Sequence, residues 1–268
     1  MAATWSAAWF EGIEPGTLAL LVLAALVAGW VDAVVGGGGL VQIPALLVLL
    51  PGATPVQVLA TNKIAGICGT VTSSVTYVRR VRPSLRTALP MAVLALAGSA
   101  VGALCAGLLP AGVFRPLVLV GIVGVAFYVL RRPDLGQVTA LRLPPGRHLL
   151  AAGAIGVGFG FYDGIFGPGT GSFLVFALVG VLGYAFLEAS AQARIVNVAT
   201  NLGAILVFAP QGAPLWGPGL CMGAASVVGG WVGARTAISR GSRFVRVVFL
   251  VVVGGLALRL GYDVVVGN

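Results

Sequence analysis

Charge is what this sequence has least of. Of its 268 residues, 9% are Asp, Glu, Lys or Arg, against about 25% in soluble domains. With 59% hydrophobic residues and a mean hydropathy of +1.05, that shortage excludes an ordinary water-soluble domain. A spanning helix takes roughly 20 residues, so the length allows about ten or eleven crossings and leaves almost nothing for an extramembrane catalytic domain. Acidic residues are scarcest, 7 against 16 basic ones. The resulting net charge of +9 would point to nucleic acid in a soluble protein. In a bilayer arginine instead marks cytoplasmic loops, and no nucleic-acid partner is expected. The three cysteines, Cys68, Cys105 and Cys221, sit in apolar runs without spacing of the metal or redox kind, which leaves them as small packing residues. His148 is the single histidine and has no nucleophile or metal partner nearby in sequence. No Gly-x-Ser-x-Gly or His-Glu-x-x-His occurs, so an intramembrane protease has no support, and neither cofactor nor metal is expected. Ahead of Leu18 the chain holds Glu11 and Glu14 but no Lys or Arg. A cleavable signal peptide would need a positively charged start, so the first apolar run is expected to stay as a helix.

What is present is a series of ten apolar runs. They lie at Leu18 to Val35, Leu40 to Leu50, Val56 to Val78, Thr87 to Leu109, Val113 to Leu130, Leu149 to Phe166, Gly171 to Leu182, Tyr184 to Ala209, Leu215 to Ile238 and Phe244 to Val266. The second and seventh would reach only about 17 Å as helices, so they are read as half-helices or re-entrant arms. Trp5, Trp9 and Trp216 look like interfacial anchors.

Shifting the sequence so that Asp32 falls on Asp163 superposes it on itself without gaps. In that register Lys63 falls on Arg194 and Arg115 on Arg246; Gly29, Gly36, Gly38, Gly98 and Gly102 fall on Gly160, Gly167, Gly169, Gly229 and Gly233. Three charged pairs in register, where charge is so rare, indicate a tandem duplication. Twelve basic residues form three clusters: Arg79, Arg80, Arg82 and Arg86; Arg131, Arg132, Arg142 and Arg147; Arg235, Arg240, Arg243 and Arg246. If all three are cytoplasmic, matching segments of the two halves run in opposite directions. The expected fold is therefore an all-α polytopic membrane protein of two inverted repeats with about five transmembrane or half-membrane helices each. Residues 1–17 form an extracytoplasmic lead, 18–130 the first repeat, 131–147 a cytoplasmic linker and 148–268 the second repeat, with both termini extracytoplasmic. Inverted repeats are characteristic of secondary transporters, whose substrate site lies near the midplane.

Two glycine-rich breaks occupy matching positions. The first follows Asp32 with Gly36, Gly37, Gly38 and Gly39; the second follows Asp163 with Gly167, Pro168, Gly169, Thr170 and Gly171. Glycine at this density unwinds a helix, and unwound backbone at membrane depth is tolerated only where it is buried or lines a wet cavity. The N–H groups that open the following helix favour an anion. Asp32 and Asp163 each cost about 2.5–3.5 kcal/mol at a helix centre. Two readings explain them: taking up a coupling proton or cation, or a structural role in which each carboxylate accepts backbone N–H bonds of its glycine turn or pairs with Lys63 or Arg194. Arg194, Asn197 and Asn201 form one polar stripe on an apolar helix, and their counterparts are Lys63, Gly66 and Thr70, with Asn62 alongside. Cation, amides and hydroxyl suit a small oxyanion. Thr54-Pro55-Val56-Gln57 reads as a capped helix start, and the Gly98/Gly102 and Gly229/Gly233 pairs as packing motifs.

At these residues the chain resembles the sulfite exporter TauE/SafE family, also called the toluene sulfonate uptake permease family. The motifs are Gly29-Trp30-Val31-Asp32 with Gly36 to Gly39, Ala60-Thr61-Asn62-Lys63, Phe161-Tyr162-Asp163-Gly164-Ile165-Phe166-Gly167-Pro168-Gly169-Thr170-Gly171, and Ala193-Arg194 with Asn197 and Asn201. Arg194 departs from the lysine expected there. The resemblance implies a bacterial inner-membrane permease, an exporter in several cases, for sulfite or organosulfonates such as sulfoacetate. The expected partners are thus a small sulfur oxyanion, the bilayer and a coupling proton or sodium ion, with homo-oligomerisation left open. A passive anion channel and a non-transporting assembly factor are the competing readings.

Overall fold

The computed structural model describes residues 13–106 and 136–266. The fifth apolar run, Trp5, Trp9, Arg115, Arg131 and Arg132 lie outside the described residues. Within them the regular structure is helical: α1 (Pro15–Val35), α2 (Gly39–Leu49), α3 (Pro55–Val81), α4 (Leu85–Cys105), α5 (Pro145–Ile165), α6 (Thr170–Ala177, continued by a π turn, Leu178–Leu182), α7 (Phe186–Phe208) and α8 (Trp216–Val266). Gly241 breaks α8 with φ 73° and ψ −173°. The last two apolar runs are therefore its two limbs.

Local chemistry accounts for the boundaries. Proline opens α1, α3 and α5, where a missing N–H costs nothing. Thr54 and Gln57 form the expected capping box of α3: Gln57 N–H donates to Thr54 Oγ1 at 3.3 Å and Thr54 N–H to Gln57 Oε1 at 2.8 Å. Among the described residues four helices, α1, α4, α5 and α7, are long and apolar enough to cross a membrane. At 11 residues for α2, and 8 plus the 5 of its π turn for α6, these two reach only about 17 and 19 Å, well short of a ~30 Å hydrocarbon layer. The outward faces are apolar: Leu20, Leu23 and Val27 of α1, Val93 and Leu104 of α4, and Leu149 and Leu150 of α5 are exposed. Polar groups instead fill the interior, where Gln42, Lys63, Asp163, Arg194, Asn197 and Asn201 are buried. That distribution fits lipid as the solvent.

Helices group across the sequence halves. α8 packs on α1 and α3, α4 packs on α5 and α7, and α3 meets α7 between the groups. Small residues make the approaches possible. Gly98 and Gly102 of α4 lie against the Val157 and Phe161 carbonyls of α5, while Gly229 and Gly233 of α8 lie against those of Leu26 and Trp30 in α1. A methyl group at any of the four would collide with backbone, so both glycine pairs are packing motifs. The two sets of contacts occupy equivalent places in the two halves, Gly98 corresponding to Gly229 and Leu26 to Val157. Residues 13–106 and 136–266 are consequently interlocked; neither forms a bundle by itself.

Candidate functional site

The end of α1 shows how a broken helix is accommodated in an apolar medium. The carbonyls of Ala33, Val34, Val35 and the capping Gly36 have no helical partner and need donors from elsewhere. Arg194 Nη1 of α7 donates to the Asp32 carbonyl, as does Gly36 N–H at 2.8 Å. Tyr77 Oη of α3 donates to the Ala33 carbonyl at 2.9 Å, Ser190 Oγ of α7 to that of Val34 at 3.2 Å, and Ser172 Oγ of α6 to that of Val35 at 3.0 Å. Every orphan acceptor is satisfied. Ser172 N–H also donates to Gly36 O at 3.1 Å, so the two breaks cross in direct backbone contact. Gly36 has φ 88°, and a Cβ on it would meet the Gly171 backbone. Only glycine at both positions permits the crossing.

The four buried charges pair crosswise. Lys63 Nζ of α3 lies 2.6 Å from Asp163 Oδ2 at the end of α5, and Arg194 Nη1 lies 2.8 Å from Asp32 Oδ2. The shift that superposes the halves exchanges one pair for the other. Asp32 additionally accepts from Gly38 N–H at 3.3 Å. Thus each carboxylate holds a cation, the pairing alternative of the structural reading, and Asp32 also holds its glycine turn. Asn201 Nδ2 donates to Thr70 Oγ1 at 3.5 Å, again between equivalent positions of the two halves.

These groups surround one cavity with a water-accessible volume of about 40 Å³. Of the expected site residues, Gly38, Gly39, Asn62, Lys63, Thr70, Gly167, Gly169, Thr170, Gly171, Asn197 and Asn201 line it, with Asp32 and Asp163. Two do not. Gly37 faces Val31, Leu40 and Val252, and Arg194 is buried behind the wall with its guanidinium on Asp32. Gln42 and Ser226 also line the cavity, although nothing in the sequence singles them out; Gln42 Nε2 donates to Ser226 Oγ at 3.0 Å. The start of α2 (Gly38, Gly39) and of α6 (Gly169, Thr170, Gly171) both reach the cavity, so two helix N-termini bring partial positive charge to it. Asn62 Oδ1 is buried with no hydrogen-bond partner. The formal charge of the two pairs is zero.

Apolar outer faces, two broken helices crossing in the interior and a polar cavity at their crossing define a polytopic membrane transporter. Comparison with known proteins is specific. The chain belongs to the sulfite exporter TauE/SafE family, whose model matches residues 21–260. It is 38% identical over 247 residues to "Probable membrane transporter protein ORF9" of Sinorhizobium sp, covering 92% of this chain and 93% of that one. It is 32% identical over 253 residues to "Probable membrane transporter protein YfcA" of Escherichia coli K12, covering 94% and 92%. A Haemophilus influenzae "Probable membrane transporter protein" is 32% identical over 246 residues, covering 92% and 95%. No solved structure matches the chain.

Proposed function

We propose that this protein is a secondary transporter that exports a small sulfur oxyanion, sulfite in the first instance, across the bacterial inner membrane. The observation that carries the reading is the convergence of both glycine breaks, two helix N-termini and the amides of Asn62, Asn197 and Asn201 on one buried cavity. Donors of this kind bind oxyanions. A cavity of about 40 Å³, where roughly 10–15 Å³ holds one water, favours an anion as small as sulfite. Binding residues in this reading are Gly38, Gly39, Asn62, Lys63, Thr70, Gly167, Gly169, Thr170, Gly171, Asn197 and Asn201, while Arg194 serves the architecture of the site.

Because the two pairs cancel, an anion gains a free cation only when a carboxylate is neutralised. A proton or sodium ion taken up by Asp163 would leave Lys63 without its counter-charge, and the anion would then take its place. Anion and cation binding are linked in this scheme. A doubly charged sulfite moving with one proton or sodium ion still carries one net negative charge, which the inside-negative potential drives outward at roughly 2.3 kcal/mol per charge per 100 mV; this supports export. Inverted repeats supply two related conformations for alternating access. The bodies that move are then α1/α3/α8 and α4/α5/α7, since separating the sequence halves would break the glycine contacts of both groups.

Anion-dependent stabilisation of detergent-solubilised protein tests the site. Sulfite should raise the unfolding midpoint of the parent chain, and Asn201→Ala or Asn62→Ala should abolish that rise. An undiminished rise in both variants would remove the assignment.

A further inference from the structure

A second polar feature lies away from the transport cavity. Beyond their closest approach, where a Cβ on Gly230 would lie 2.7 Å from Gly69 O, α3 and α8 enclose an open groove of about 740 Å³. Its wall is graded. Val71, Val75 and Trp231 come first and are exposed; Arg79, Arg80 and Arg235 follow. The Arg235 guanidinium sits 4.1 Å from the centre of the Trp231 ring, a cation–π contact that fixes the cation over an indole left 43% exposed. Arg79 lies about 15 Å beyond Gly69 along α3, half of a ~30 Å hydrocarbon layer. Gly69 also lines the central cavity, so the arginines fall at the level where hydrocarbon gives way to headgroups. No carboxylate among the described residues pairs with these three arginines.

We propose that this groove binds an anionic phospholipid, its acyl chain along Val71, Val75 and Trp231 and its phosphate between Arg79, Arg80 and Arg235. The gradation from apolar wall to guanidinium matches a lipid; a free phosphate would leave the apolar part unused. Packing does not demand the arginines. At the equivalent positions of the other half, Arg79 and Arg80 become Pro210 and Gln211, and Trp231 and Arg235 correspond to Ala100 and Leu104. The corresponding α7/α4 contact is made without a cation. The lipid site needs the chain to lie in a membrane, and it stands whether or not the cavity carries sulfite.

The test is native mass spectrometry of the full chain in detergent with phosphatidylglycerol, phosphatidylcholine or glycerol phosphate. Phosphatidylglycerol should be retained and the other two released. Arg79→Gln/Arg235→Gln should weaken that retention at least about tenfold, with an unchanged unfolding midpoint in lipid-free detergent because these side chains are exposed. Arg86→Gln/Arg147→Gln, equal in charge but outside the groove, should retain the lipid as the parent does. Equal retention of phosphatidylcholine, retention of glycerol phosphate alone, or equal loss in both double variants would overturn the proposal. So would a lipid-free dimer that closes the groove with a second copy. If sulfite flux fails while selective retention persists, the lipid site holds and the transport reading falls.

Discussion

Replacing Asp163 by asparagine removes one charge of a pair whose side chains are 1% and 5% exposed and 2.6 Å apart. At an effective dielectric of about 20 the attraction at that distance is about 6 kcal/mol, largely offset by the cost of taking both ions out of water. The net worth of the intact pair is therefore small, but Lys63 alone bears its desolvation without compensation. Asp163→Asn should cost about 3–5 kcal/mol, whereas Lys63→Met/Asp163→Leu should recover most of that loss. Asp32→Asn should cost roughly half as much, because Asp32 is 16% exposed and Arg194 keeps the Asp32 carbonyl as an acceptor. Unfolding by SDS titration in mixed micelles measures all four chains. If Asp163→Asn is as stable as the parent, or the double variant is no better than the single one, the buried-pair reasoning fails.

Gly36→Ala should destabilise by more than about 2 kcal/mol, combining left-handed backbone strain with the collision against Gly171. Gly158→Ala, in open space within α5, should be neutral or slightly stabilising, read in the same titration. Thr54→Ala should cost about 1 kcal/mol and lower helicity at the start of α3 without changing anion affinity. If Asp163 takes the coupling cation, sulfite flux in proteoliposomes should respond to an imposed proton or sodium gradient. In a variant that folds, Lys63→Met/Asp163→Leu, that response should be lost; its persistence would place the coupling elsewhere.

Much of the scaffold is legible in the residues because the bilayer leaves few options. Apolar runs of spanning length, proline and Thr54 at helix starts and glycine clusters after Asp32 and Asp163 each have a local physical meaning, and the helices form where those signals stand. Which groups meet is not legible in the same way. Asp32 lies 162 residues from Arg194, and Asp163 lies 100 from Lys63; the spacing allows pairing within a half as readily as across. The crosswise choice follows from α3 and α7 meeting between the two groups. Arg194 reads as an anion ligand on its stripe, yet its length carries the guanidinium through the wall to the open end of α1. Tyr77, Ser172 and Ser190 carry no signal of their own, because a hydroxyl on a helix looks alike whether it bonds its own backbone or caps another. Gln42 and Ser226 are silent for the same reason: single polar groups in apolar runs mark a cavity only once two helices bring them together.

The central claim is that a small oxyanion exchanges through the cavity between the two breaks. Counterflow of labelled sulfite in proteoliposomes tests it directly: the parent chain should show saturable uptake driven by internal unlabelled sulfite, with sulfoacetate and toluenesulfonate competing progressively less well, and Asn201→Ala should lose the exchange. Flux that never saturates and shows no exchange, or the absence of any flux for every oxyanion tried, would contradict the account.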